Sequence, residues 1–506
     1  MFGQTKTGAM VLGAMFLGAM VLAAAPTLAA PAASLVRIDS GRLQGVAADG
    51  VTSFKGVPYA RPPVGDLRWR APQRPEPWRD VRDASRYGAL CMQKIAPDNG
   101  VGPGPASEDC LTLNVFAPAA RAAARLPVMV WIHGGGFVNG SGTAALYDGS
   151  ALARQGVVVV TINYRLGRFG FFAHPALTAE QRGQPLANYA LMDQIAALRW
   201  VARNIAAFGG DPANVTIFGE SAGGMAVNRL MMIRQARGLF ERAVVESGLG
   251  REQGQTLAEA EKDGAAFAAK LGAAGSDAKA LRAIPAQAIL AAGDLDLING
   301  EAPILDGVLL TENPAQAFAA GHVARVPYLI GSNSLEFPPP FADTIRARLI
   351  RLSPAQEAAI VKAYGSRAAF DQHIVSDVLF GEPARALARD QARVGPPTWL
   401  YRFSVISAKA PKAVQGGAVH ASDRQYVFKT LNASPWPTDA RDAALAETIS
   451  AYWVAFAKTG DPNGPGRPAW PHYGPADRLI NFTNDGPIAE KAPDAAVLDA
   501  IAAAER

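Results

Sequence analysis

The chain of 506 residues holds two cysteines and six histidines. So little cysteine excludes a disulfide-dense scaffold and a thiolate metal cluster. No group of His, Cys and acidic residues stands at metal-ligand spacing, and no cofactor motif is present. Lysine and arginine form no block: 49 basic against 44 acidic residues leave a net charge of +5, thinly spread, which gives solubility and no nucleic-acid groove. Past the N-terminus no apolar run is long enough to span a bilayer. Internal repeats and low-complexity linkers are missing too. With 49% hydrophobic and 18% charged residues, the composition excludes disorder. The length alone would suit two or three domains, but large α/β enzymes often run as one, and no boundary shows inside the chain.

What is present begins with an export pattern. Lys6 precedes the uncharged run G-A-M-V-L-G-A-M-F-L-G-A-M-V-L-A-A-A, and P-T-L-A-A-P-A-A follows. This is the charged, apolar, small-residue order of a secretory signal, with cleavage near Ala29 or Ala30. The alternative is an uncleaved anchor, which glycine and alanine make weakly hydrophobic. Residues 1–30 therefore read as a signal peptide and 31–506 as a single catalytic domain, periplasmic or secreted and without stable membrane insertion after cleavage. In an exported chain, Cys91 and Cys110 read as one disulfide, the alternative being two free thiols.

Apolar β-branched runs alternate with helix-like segments. Leu126 to His133, Val157 to Tyr164, Arg242 to Ser247, Val326 to Gly331 and Thr398 to Val405 predict strands, several bounded by Gly or Pro. Asn188 to Ile205 has apolar residues at helical spacing. The alternation predicts an α/β fold: a mostly parallel sheet covered by helices on both faces. Ala-rich stretches from Thr256 to Ala292 and Ser353 to Leu387 predict helical insertions over one end of it.

The stretch G-E-S-A-G-G, Gly219 to Gly224, follows the short apolar strand Val215 to Phe218. The pattern G-x-S-x-G arises by chance on the order of 0.2 times in such a chain, so it needs partners. A serine on a sharp strand-to-helix turn is pushed outward, and its neighbours must be small. The helix start at Ala222 points backbone N–H groups at any charge forming on a carbonyl attacked by Ser221. The buried strand before H-G-G-G-F leads to Gly135 and Gly136, whose bare backbone can approach a ligand closely. These three N–H groups are the candidate oxyanion donors. His133 reads as a loop-shaping residue. Among the histidines, His420 lies in G-G-A-V-H-A-S-D, a loop after a strand, where parallel sheets gather ligand-facing residues. Glu336, after V-P-Y-L-I-G-S-N-S-L, fits the orienting acid, with Asp343, Asp306 and Asp423 as rivals.

These motifs together resemble the type-B carboxylesterases, the α/β-hydrolase group that includes cholinesterases and bacterial esterases. F-K-G-V-P-Y-A-R-P-P-V-G, E-D-C-L-T-L-N-V, H-G-G-G-F, N-Y-A-L-M-D-Q and F-G-G-D-P-A-N-V-T-I-F-G-E-S-A-G-G match in order over nearly the whole chain. The resemblance implies a triad of Ser221, Glu336 and His420, oxyanion donors at Gly135, Gly136 and Ala222, and a Cys91–Cys110 disulfide. It implies ester hydrolysis through an acyl-enzyme on a small-molecule ester, without metal or cofactor. One departure stands out. The family usually has an acidic residue before the triad Glu and a glycine after it, and here Leu335 and Phe337 take those places. That loop is expected to differ in shape, with Phe337 and Pro338 to Pro340 reshaping the acyl side of the pocket. The competing readings are a non-catalytic binding or adhesion protein on the same fold, and an amidase, lactonase or lipase.

Overall fold

Among the described residues of the chain, thirteen strands form one sheet in the computed structural model. The structure describes residues 32–95, 101–119, 125–293, 302–339 and 341–505. The signal segment read at residues 1–30 lies outside them, as does Pro340. The strands on the main path are β1 (Ala32–Ile38), β2 (Gly41–Ala48), β3 (Val51–Pro58), β4 (Thr112–Pro118), β5 (Leu126–Ile132), β6 (Val158–Ile162), β7 (Gly210–Glu220), β8 (Arg242–Glu246), β9 (Tyr328–Asn333), β10 (Thr398–Phe403), β11 (Arg478–Thr483) and β12 (Gly486–Lys491). They lie in the order β1-β2-β3-β4-β6-β5-β7-β8-β9-β10-β11-β12. From β6 to β11 every neighbour pairs parallel. Antiparallel pairs close both wings.

The central strands read as continuous apolar runs because both faces are covered. Alternation within each strand decides the face. Val128, Val130, Val158, Val160, Ile217 and Ile330 enter one buried cluster. Their neighbours Met129, Trp131, Val159, Phe218 and Leu329 enter another. The first face is covered by α1 (Tyr189–Asn204), α2 (Ala222–Met232) and α3 (Glu382–Val394). The second is covered by α4 (Ala440–Thr459), which contributes Ile449, Tyr452, Trp453 and Phe456.

The first Ala-rich stretch folds as three helices, Leu257–Lys270, Ala278–Arg282 and Ala286–Ala292, with Thr256 closing a capping box on the first. The second forms Pro354–Tyr364 and Arg367–Ser376, which pack around their own apolar cluster with Phe341–Leu349 and Ala495–Ala504. The expectation of an insertion as far as Leu387 is corrected at its end. Ala384, Leu387 and Ala388 belong to the core beneath the sheet, so α3 is part of the covering layer. Among the described residues no helix is long and apolar enough to cross a membrane.

Cys91 and Cys110 are bonded, their Cα atoms 4.9 Å apart across a sequence separation of 19. Closing a loop of this length stabilises a fold by about 3 kcal/mol in the chain-entropy model. Replacing both cysteines with alanine is therefore expected to lower the unfolding free energy by about 3 kcal/mol in urea titrations, with a somewhat steeper slope because the unlinked denatured chain exposes more surface. An unchanged midpoint would contradict this.

Candidate active site

Ser221 stands where β7 turns into α2. Its backbone is held at φ 55° and ψ −124°, a conformation that L-residues rarely adopt and that stores strain. The Ser221 N–H donates to the Glu246 carbonyl at 2.9 Å, which ties the turn to the end of β8. The small neighbours are required by space: a Cβ on Gly223 would lie 2.0 Å from the Ile132 carbonyl oxygen. Gly135 has φ +101°, and a Cβ there would lie 2.3 Å from the Asn139 carbonyl oxygen. Among the described residues nothing accepts a hydrogen bond from the N–H of Gly135, Gly136 or Ala222.

The three residues expected to act together meet in one chain of hydrogen bonds. The Ser221 hydroxyl lies 2.9 Å from His420 Nε2. His420 Nδ1 lies 2.6 Å from Glu336 Oε2. A carboxylate at Nδ1 requires a proton there, so Nε2 is the acceptor facing the serine. The Glu336 side chain is buried, and its Oε1 accepts from the Ser247 hydroxyl and the Asn333 N–H, both at 2.7 Å. The acid and base loops are also laced by backbone. Leu335 N donates to Ala418 O at 2.9 Å, and His420 N to Glu336 O at 2.7 Å. Leu335 is buried in this seam, so a leucine in place of the family's usual acidic residue is accommodated without moving the carboxylate from the imidazole.

The rival acids have other surroundings. Asp306 accepts from the N–H groups of Leu309, Leu310 and Leu186 and so shapes a turn. Asp343 lies in the first turn of Phe341–Leu349. Asp423 is buried behind the site, with the Tyr401 hydroxyl donating to it at 3.3 Å, and burial, then Glu220 and Glu336, raise its pKa. Four of the other histidines are likewise engaged elsewhere, and His373 bonds the backbone at Ser334. His133 stacks on Tyr164 with ring centroids 4.3 Å apart, and burial pushes it down to about 4. His174 caps a short helix, His322 pairs with Glu312, and His472 packs on Trp399.

Burial lowers the pKa of His420, but Glu220 and Glu336 outweigh it and hold the imidazole above its ordinary value. Glu220 was quoted in the serine motif without a role, and its Oε1 lies 3.3 Å from His420 Nε2. Ser247 also escaped the sequence reading. Its only signal is the end of R-A-V-V-E-S, and its partner is 89 residues away. Phe380 was missed as well. It lies in a π-helical turn, Asp377–Gly381, and its ring centroid is 5.2 Å from that of His420. Phe337 reaches the same imidazole at 4.9 Å, so two aromatic rings wall the base. Among the described residues no three His, Cys, Asp or Glu side chains are arranged to hold a metal ion.

Similarity to known proteins agrees with this architecture. The chain is 40% identical over 463 residues to the para-nitrobenzyl esterase of Bacillus subtilis, covering 87% of this chain and 92% of that one. It is 37% identical over 472 residues to the fumonisin B1 esterase of Sphingopyxis macrogoltabida, covering 88% and 85%. The solved structure of a thermophilic PNB esterase superposes with a TM-score of 0.81 at 36% identity, over 92% of this chain and 99% of that one. The sheet and its helical layers are those of the α/β-hydrolase fold expected from the sequence. The model of the carboxylesterase family matches residues 32–347 and 362–496. The chain belongs to the carboxylesterase family, whose members are carboxylic ester hydrolases.

Proposed function

We propose that residues 31–506 act as one exported catalytic domain that hydrolyses small carboxylic esters through Ser221, His420 and Glu336. The observation that carries this reading is the unbroken hydrogen-bond chain, 2.9 Å from Ser221 Oγ to His420 Nε2 and 2.6 Å from Nδ1 to Glu336. Ser221 Oγ attacks the ester carbonyl carbon as Nε2 takes its proton. The oxyanion is held by the N–H groups of Gly135, Gly136 and Ala222, and each such donor typically contributes about 100- to 1,000-fold in rate. The intermediate collapses, the C–O bond to the alcohol breaks, and Nε2 returns the proton to the leaving oxygen. Water then attacks the acyl-enzyme with His420 again as base, and Ser221 is released. Glu336 stabilises the imidazolium formed in each half and fixes its tautomer. The Cys91–Cys110 bond suits an oxidising compartment and supports export.

A panel of p-nitrophenyl esters from acetate to palmitate tests this reading. The aromatic wall of Phe337 and Phe380 beside the His420 imidazole predicts a short-chain optimum, and Phe337→Ala is expected to move that optimum to longer chains. A wild-type optimum at palmitate would favour a lipase, and turnover of anilides at rates matching the esters would favour an amidase.

A further inference from the structure

Several charges surround the proposed base without entering its hydrogen-bond chain. Glu220 reaches His420 from the end of β7, and Glu336 holds the other ring nitrogen. Glu246, buried at the end of β8, accepts from Trp453 Nε1 at 2.7 Å. Asp423 lies three residues beyond His420 and is buried beside Tyr401. Asp377 lies behind Glu336 in the π-helical turn. Arg402 acts on Asp377, and the cation at Glu220 and His420 among the described residues is Arg424. Its Nη1 is 3.7 Å from Glu220 Oε2 and donates to the Tyr147 hydroxyl at 2.6 Å. Its Nε donates to Ala421 O at 2.9 Å, so the guanidinium is clamped to the loop that carries His420.

A carboxylate 3.3 Å from Nε2 favours the imidazolium, which cannot accept the Ser221 proton. It also favours the imidazolium that forms as the reaction proceeds. A counter-charge on the carboxylate's far oxygen limits the first effect, because Coulomb interactions at this range are large in a water-poor site. We propose that Arg424 is a positioning residue: held against Glu220, it offsets that carboxylate's pull on the imidazolium, so that His420 stays open to the Ser221 proton at lower pH than Glu220 alone would allow. The inference rests on the reading of His420 as the base. In line with it, burial lowers the proton affinity of His420, Glu220 and Glu336 raise it, and Arg424 lowers it.

The test is the pH profile of kcat/KM on p-nitrophenyl acetate, from about pH 5 to about pH 9, for wild type, Arg424→Met, Arg424→Lys and Glu220→Gln. Arg424→Met is expected to move the acid limb up by about one pH unit, so that the loss is about tenfold at pH 6 and much smaller at pH 9. Arg424→Lys is expected to return the limb most of the way, and Glu220→Gln to move it below wild type. A uniform loss at every pH with the limb unmoved would overturn the inference and leave Arg424 a packing role. Should Arg424→Met not fold, Glu220→Gln and Arg424→Lys decide: a wild-type limb in Glu220→Gln, or a limb in Arg424→Lys displaced by the full unit, overturns it. A wild-type profile with no single-group acid limb would overturn the base reading itself, and the inference with it.

Discussion

Ser221→Ala is expected to lower kcat on p-nitrophenyl esters by on the order of 10⁵- to 10⁶-fold while leaving the fold in place. The hydroxyl is the only group removed. The turn is held by the backbone, through the Ser221 N–H on Glu246 and the Ser221 carbonyl on Met225, and both bonds survive in alanine. A second substitution separates strain from chemistry. Ser221 pays conformational energy at φ 55° and ψ −124°, a region open to glycine. Ser221→Gly is therefore expected to be equally inactive yet more stable by about 1 kcal/mol, read as a higher urea midpoint. Turnover retained in either variant would remove Ser221 from the mechanism.

Glu336→Gln is expected to cost about 10³- to 10⁴-fold in kcat, though the amide fills the same space. The reason lies in the donors around the carboxylate. Oε1 receives the Ser247 hydroxyl and the Asn333 N–H, and Oε2 receives His420 Nδ1. A carboxylate accepts on both oxygens; an amide accepts on one side and donates on the other. Asn333 N–H cannot become an acceptor, so the amide oxygen stays there and the NH₂ turns to His420. Nδ1 must then be the unprotonated nitrogen, which puts the proton on Nε2, where the serine proton has to arrive. The protein stays folded with the wrong tautomer. A loss below about tenfold would mean that another acid orients the imidazole, and Asp423 would be the first to examine.

Legibility from sequence followed the range over which the physics acts. Ser221 was readable because its turn is local: strand, glycines and helix start lie within a dozen residues. The central strands were readable because both their faces are buried, which makes unbroken apolar runs such as V-V-V-V-T-I. The N-terminal wing was not read. β2 has one face outward, and its burial alternates weakly among short and polar side chains. The helix Phe341–Leu349 was overlooked because it buries little more than Ala342 and Ile345 and follows a proline run. His420 and Glu336 needed the family resemblance to be singled out from rivals. Ser247, Phe380 and Arg424 stayed hidden because their roles are contacts across the fold. Tyr147 and Arg424, for example, meet over 277 residues.

The proposed chemistry stands on Ser221 as the nucleophile activated by His420 and Glu336. The most direct measurement is titration with a p-nitrophenyl phosphonate, following turnover and mapping the adduct by mass spectrometry. One adduct per chain is expected, on Ser221, with activity falling in step with labelling, no label in Ser221→Ala, and labelling slowed by orders of magnitude in Glu336→Gln. An adduct on another residue, or full turnover after Ser221 is completely labelled, would contradict it.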